Sequence, residues 1–357
     1  MNGRQLQSRR YPVADPEEAI EFYFQRGWTD GLPIVPPTPA RVEYMLTGTQ
    51  RDPTEVIGLI PPNQGQATVE KVAINAVMAG CLPGYLPVVT TAIQALTDPQ
   101  FNLHGVQATT GPHSPLCIIN GPIRQNLAIN AGPNVFGPGW RANSTIGRAV
   151  KLVMLNLGGA KPGEIDKSTL GHPGKYTFCI AENEEESPWE PFHVEHGFAA
   201  DVSTVAVFAA EPPLSISDTT SRTAHDLVAT MGASLAVGWN ARMHLRGQSL
   251  LVIGPEHAQT IARDGWSKTD IKRFLFEHVR KPLGELLRGP EWELGMSPEH
   301  LPAWVDKNHE HTLVPKFVSA EEILIVVAGG TAGTHSACLS GWGNGFTSRL
   351  VIKPIET

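Results

Sequence analysis

Apolar positions along this chain follow two patterns. Up to about residue 160 they mostly recur at helical spacing. Ala19, Ile20, Phe22 and Tyr23 share one face of a predicted helix over 16–26. Asp30-Gly31 is a turn signal, and 32–35 reads as a short extended piece. Thr38 followed by Pro39 gives an N-cap and first helical position for a helix ending at Leu46. A second helix opens at Thr68 and carries Val72, Ala73, Ala76 and Val77 on its apolar side. It stops at Gly80, and 86–96 forms a further helix. The run LCIIN, 116–120, reads as a buried strand, and 144–157 as an apolar helix closed by Gly158-Gly159.

Beyond residue 160, short apolar runs at 176–181, 204–209, 250–253 and 323–328 read as strands. Helical stretches at 221–235, 256–263 and 268–287 lie between them. This alternation predicts an α/β fold. The expected layout is a helix-rich N-terminal domain, 1–160, and a mixed or parallel-sheet domain, 161–357, with a pocket between the two. The loop-like AKPGEIDK marks the boundary, and no internal repeat is evident.

Composition narrows the function. Of 357 residues, 41% are hydrophobic and 18% charged, which suits a globular protein. A net charge of -7 without a basic run argues against nucleic acid or an anionic membrane as partner. No run approaches the roughly 20 apolar residues of a membrane span. The polar N-terminal stretch has no signal-peptide core. Cys81, Cys117, Cys179 and Cys338 are far apart and lack CxxC spacing, so reduced thiols and a cytoplasmic location are expected. A homo-oligomer is the base-rate expectation.

Candidate chemistry concentrates in loops. The stretch GPNVFGPGWRANSTIGRA, 132–149, contains GxGxxA, but its nearest strand lies a dozen residues upstream, so a dinucleotide site is disfavoured. The following helix start offers amide groups and a positive dipole end. Asn143 or Ser144 is the expected cap, Arg141 and Arg148 are candidate anion-holding guanidiniums, and Asn134 adds a neutral donor. The bland alternative pairs the two arginines with Asp or Glu across a domain interface.

A second Gly-rich stretch, 329–345, follows the 323–328 strand directly. Its Gly329, Gly330, His335, Ser336 and Cys338 stand where ligands usually bind in α/β sheets. Glu182 is expected at the end of the 176–181 strand. His193 and Glu195 make a metal-ligand alternative with it, although HVEH is not the helical HExxH pattern. His113 lies in a polar loop ahead of the 116–120 strand. Cys81 and Cys338 are candidate nucleophiles, provided their pKa values are lowered.

In WTDGLPIVPPT, ATVEKVAINAVMAGCLPGYLPVV, NVFGPGWRANSTIGRA, LGHPGKYTFCIAENEE and AGGTAGTHSA, the chain resembles a bacterial protein family of uncharacterised activity. Its members often accompany small UGSC- or CGSC-motif, selenoprotein-like partners. The resemblance covers nearly the whole chain. It implies a cytoplasmic metabolic enzyme acting with a partner subunit, and it implies no particular reaction. The chain has no CGSC of its own, so thiol–disulfide chemistry does not carry over.

These readings together predict an enzyme for a small, anionic, carboxylate- or acyl-bearing molecule. It would cleave or add across a carbon–heteroatom bond, as a hydrolase, hydratase or lyase. Arg141 and the helix start would hold the anion. Glu182 and His335 would move protons, helped by Cys81 or Cys338. The alternatives are a metal-dependent enzyme using Glu182, His193 and Glu195, and a non-catalytic subunit of a small redox protein. A flavin or nicotinamide oxidoreductase lacks a clean fingerprint, and no cofactor is indicated.

Overall fold

The computed structural model describes residues 6–237, 247–286, 306, 309–343 and 347–356. In chain order it begins with α1 (Pro16–Gln25), α2 (Pro39–Leu46), β1 (Val56–Ile60), β2 (Gly65–Thr68), α3 (Val69–Ala79), α4 (Leu86–Leu96) and α5 (Leu103–Ala108). Then follow β3 (Ser114–Asn120), α6 (Ile123–Asn126), α7 (Arg141–Gly158), β4 (Cys179–Ala181), α8 (Phe192–Glu195), β5 (Thr204–Ala210) and β6 (Leu214–Ser217). The rest is α9 (Ala224–Val237), β7 (Ser249–Ile253), α10 (Pro255–Arg263), α11 (Lys268–His278), β8 (Arg280–Pro282), α12 (Leu283–Leu286), β9 (Leu313–Pro315), β10 (Ile323–Val327), β11 (His335–Ser340) and β12 (Val351–Pro354). The fold is α/β with mixed sheets. Among the described residues, no helix is long and apolar enough to cross a membrane.

The chain divides into two compact units. Unit 1 holds 1–182, 193–209 and 350–357, and unit 2 holds 183–192 and 210–349. No single cut separates them, because the last strand returns to unit 1.

In unit 1 the sheet order is β12–β5–β3–β4, with β12 antiparallel to β5 and β4 parallel to β3. Every residue of β3 and β5 is buried. A strand covered on both faces reads as an unbroken apolar run, which is why LCIIN shows no alternation. Helices α3, α4 and α7 pack on one another, α4 also on β12 and α7 on β4. α7 comes so close to β4 that a Cβ on Gly147 would lie 2.4 Å from Thr177 Oγ1 and 2.6 Å from Phe178 N.

In unit 2 the sheet order is β10–β7–β11–β6, parallel between β10 and β7 and antiparallel on both sides of β11. Helices α9 and α11 bury Leu227, Val228, Met231, Ile271 and Leu275 in one core with Leu251, Ile253, Ile325 and Val327 of the sheet. Part of the expected 329–345 loop is strand β11. The helix expected over 268–287 stops at His278, and the chain turns into β8. Leu287 and Gly345, the ends expected for these two segments, lie outside the described residues.

Candidate functional site

The parallel register of β3 and β4 pairs Ile119 with Ala181, so Asn120 and Glu182 leave the sheet side by side at its carboxyl end. Glu182 N donates to Ile119 O at 3.1 Å, extending the ladder one step. Asn120 Nδ2 donates to Glu182 Oε2 at 2.5 Å, with both residues fully buried. Gly121 then turns the chain at φ +83°, where a Cβ would lie 2.6 Å from Ser203 Cα and Val202 O. The turn brings in Arg124, 5% exposed, whose Nε donates to Gly121 O at 3.1 Å and whose Nη1 donates to Glu182 O at 2.8 Å. The carboxyl group is thus approached by an amide, and its main chain is held by a guanidinium.

The first turn of α7 joins the same network. Asn143 Oδ1 accepts from Asn130 N at 2.8 Å, and its Nδ2 donates to Asn130 O at 2.9 Å and Cys179 O at 3.2 Å. Asn130 O in turn accepts from Ala181 N at 3.2 Å. Asn143 therefore braces the strand that carries Glu182. It does not cap the helix. α7 begins at Arg141, with Trp140 as N-cap and no side-chain cap bond, and Ser144 N donates to Trp140 O at 3.1 Å.

The two arginines of the loop have different fates. Arg148 makes a bidentate pair with Asp30, both bonds 2.8 Å, and also donates to Leu32 O and Pro33 O. The pair lies within unit 1 and fastens the WTDGLP segment to α7, so the Arg148 guanidinium is engaged by a protein carboxylate and two carbonyls. Arg141 donates Nε and Nη2 to Gly80 O at 3.1 and 2.9 Å. That carbonyl orients an exposed guanidinium whose Nη1 edge makes no protein bond among the described residues. Asn134 takes a left-handed conformation, φ +57°, and donates to Pro138 O, shaping the loop. His113 is buried just before β3.

No protein-family model matches the chain, and no curated protein matches it.

Burial disfavours the thiolate form of all four cysteines. Burial pushes Cys81 and Cys117 up to about 12 and Cys338 to about 11, and holds Cys179 well above its ordinary value. Cys81 Sγ donates to Thr145 O at 3.3 Å, and Cys338 sits in the unit 2 core. Desolvation outweighs the Thr145 hydrogen bond and the Arg141 charge at Cys81 and the Lys316 charge at Cys338, so neither thiol is lowered as the expected thiolate chemistry requires.

In unit 2, Gly329 and Gly330 follow β10, and Asn183 Nδ2 donates to Gly329 O at 3.3 Å. His335 is the exposed first residue of β11, opposite Ser217. Ser336 is buried, 2.8 Å from His257 Nδ1, and accepts from Gly254 N at 3.1 Å. His257 Nε2 faces Asp218 O at 3.2 Å. These bonds tie β11 to the start of α10, and nothing in the sequence paired Ser336 with His257. His193 is fully buried and Glu195 half-buried on α8. Among the described residues, no three His, Cys, Asp or Glu side chains gather as a metal-ligating group, so Glu182, His193 and Glu195 do not form one.

Asn120, Arg124, Asn130 and His257 were not singled out from the sequence. The one available signal was the polar residue closing the LCIIN strand.

Proposed function

We propose that the protein is an enzyme for a small carboxylate- or acyl-bearing molecule. It works by acid–base chemistry at the carboxyl ends of β3 and β4. Glu182 takes a proton from the substrate or from water and returns it to the leaving heteroatom, in the manner of a hydrolase, hydratase or lyase. Asn120 orients its carboxyl group, and Arg141 offers a guanidinium edge to the substrate anion.

The observation that carries this reading is the fully buried Glu182 carboxyl group, met by Asn120 at the end of parallel strands. Proton-transferring carboxyl groups are commonly desolvated and held by a neighbour, and strand carboxyl ends are the usual ligand position in α/β sheets. The burial of the thiols favours this route over covalent thiol catalysis.

The test is a panel of small carboxylic acids, hydroxy acids, esters and amides, followed by proton NMR with the full-length protein. Consumption of at least one compound is expected, with Arg141→Ala raising KM for that compound at an unchanged melting temperature. Turnover of uncharged compounds only, indifferent to Arg141→Ala, contradicts the reading.

A further inference from the structure

Unit 1 contains a cavity of about 730 Å³ in which none of Asn120, Arg124, Asn143 or Glu182 takes part. It lies among the N-terminal arm from Leu6 to Val13, α1, the start of α2, one face of α3 and the end of α7. Its volume is in the range of small-molecule sites.

Three features define what it would accept. The first is an aromatic wall. Tyr11, Phe22, Tyr23 and Trp28 pack with centroid separations of 5.4 to 6.1 Å, mostly edge-on. The Arg26 guanidinium lies over Phe22, Tyr11 and Trp28 at 4.4, 5.0 and 5.3 Å, fixing the cluster. Ile74 and Met78 of α3 add aliphatic surface.

The second feature is how the arm is held. Glu70, 2% exposed, accepts from Gln7 N and Ser8 N, one on each carboxyl oxygen and both at 2.9 Å. Glu70, the only acidic residue lining the cavity among the described residues, is thus engaged by backbone amides, and it pins the arm as a wall. The third feature is charge. Arg9, Arg10 and Lys71 also line the cavity, so cations dominate there in a chain of net charge -7.

We propose that this cavity binds an amphipathic organic anion. An aromatic ring or acyl chain would lie against the Tyr11–Trp28 wall, with a carboxylate or phosphate head toward Arg9, Arg10 and Lys71. Charge complementarity selects the anion, because three cations beside an occupied carboxylate disfavour a cationic head. The aromatic and aliphatic walls select the apolar body. This site does not depend on the role proposed for Glu182.

The test is calorimetric titration of the full-length protein with decanoate, decyl phosphate, decanol and decyltrimethylammonium, alongside 8-anilinonaphthalene-1-sulfonate fluorescence. Saturable one-to-one binding of the anions is expected, with the cation bound at least tenfold more weakly. Ile74→Trp, which narrows the cavity beside the aromatic wall, should weaken anion binding at least tenfold. Arg10→Gln with Lys71→Gln, two substitutions outside the core, should weaken decanoate about fivefold or more and leave decanol unchanged. A preference of decyl phosphate over decanoate identifies the head group, and the reverse preference identifies a carboxylate. Absence of saturable binding, binding indifferent to Ile74→Trp in a folded variant, or equal binding of anion and cation would overturn the proposal.

Discussion

Asn120 and Glu182 meet because of strand register: with Ile119 opposite Ala181, the next residue of each strand stands beside the other, and an amide comes 2.5 Å from a carboxyl oxygen. A buried polar group that loses a partner costs about 1–3 kcal/mol. Asn120→Ala should therefore lower stability by that amount in denaturant titration. Asn120→Asp, which places a second carboxyl group against the first, should cost more. A variant as stable as the parent would show that the contact contributes nothing.

The Asp30–Arg148 pair joins segments far apart in sequence and is mostly shielded, with side-chain exposures of 15% for Arg148 and 8% for Asp30. Asp30→Asn should cost about 3 kcal/mol, since the guanidinium loses its counter-charge in a shielded place. Burial alone would raise the Asp30 carboxyl, but the hydrogen bonds and charge of Arg148 outweigh it and hold it below the usual carboxylate range. A carboxyl depressed in the folded state contributes stability that is full above its unfolded value near 4. That contribution is lost as pH falls through the folded value. The gap between parent and Asp30→Asn should close on acidification below pH 4, as read in melting curves.

His172 gives a pH effect at milder acidity. Burial, with Lys175 and Lys151 nearby, lowers its imidazole to about 4, and its Nδ1 accepts from Gly174 N at 3.1 Å, a bond the neutral ring makes. The unfolded chain binds this proton near pH 6.5 and the folded chain only near 4. Stability attributable to His172 is therefore full above about 6.5 and declines between 6.5 and 4. His172→Gln should flatten that part of the pH–stability curve. An unchanged slope would place the titration elsewhere.

The four cysteines are all free and buried. With Cys81 and Cys117 pushed up to about 12, roughly one thiol in ten thousand is ionised at pH 8. The native protein should react with a thiol-specific disulfide reagent only at the rate of its unfolding, and all four thiols should titrate in denaturant. Rapid labelling of Cys81 or Cys338 in native protein would restore thiol chemistry as a candidate.

The sequence revealed elements whose signals are local. Thr38 does cap α2 with Pro39 at its first position, and α4 runs over the residues its spacing marks. Gly80 and Gly159 end α3 and α7 in left-handed conformations. α7 starts ahead of the expected Asn143 or Ser144 cap because Trp140 caps it without a side-chain bond, leaving Asn143 to brace β4. β11 is a strand where the sequence reads as loop, because HSACLS follows a Gly-rich run and its polar Ser336 finds its partner, His257, only in the tertiary structure. β12 pairs with β5 far back in the chain, and Arg148 with Asp30 across more than a hundred residues. Such contacts depend on tertiary structure and leave no periodic mark. Glu182 was visible as a strand-end residue, whereas Asn120, Arg124 and Asn130 acquire their roles from register and from the Gly121 turn.

In the proposed reaction the Glu182 carboxyl group moves a proton and does more than hold the strand ends together. Glu182→Gln keeps an oxygen to accept from Asn120 and fills the same volume, so it separates the two roles. The direct measurement is turnover and melting temperature of Glu182→Gln against the parent, on whichever compound of the carboxylate and acyl panel the parent consumes. Turnover should fall by at least about a hundredfold, the scale of a general acid–base contribution, with the melting temperature nearly unchanged. Turnover within a few-fold of the parent would contradict the proton-transfer role and leave Glu182 a structural residue.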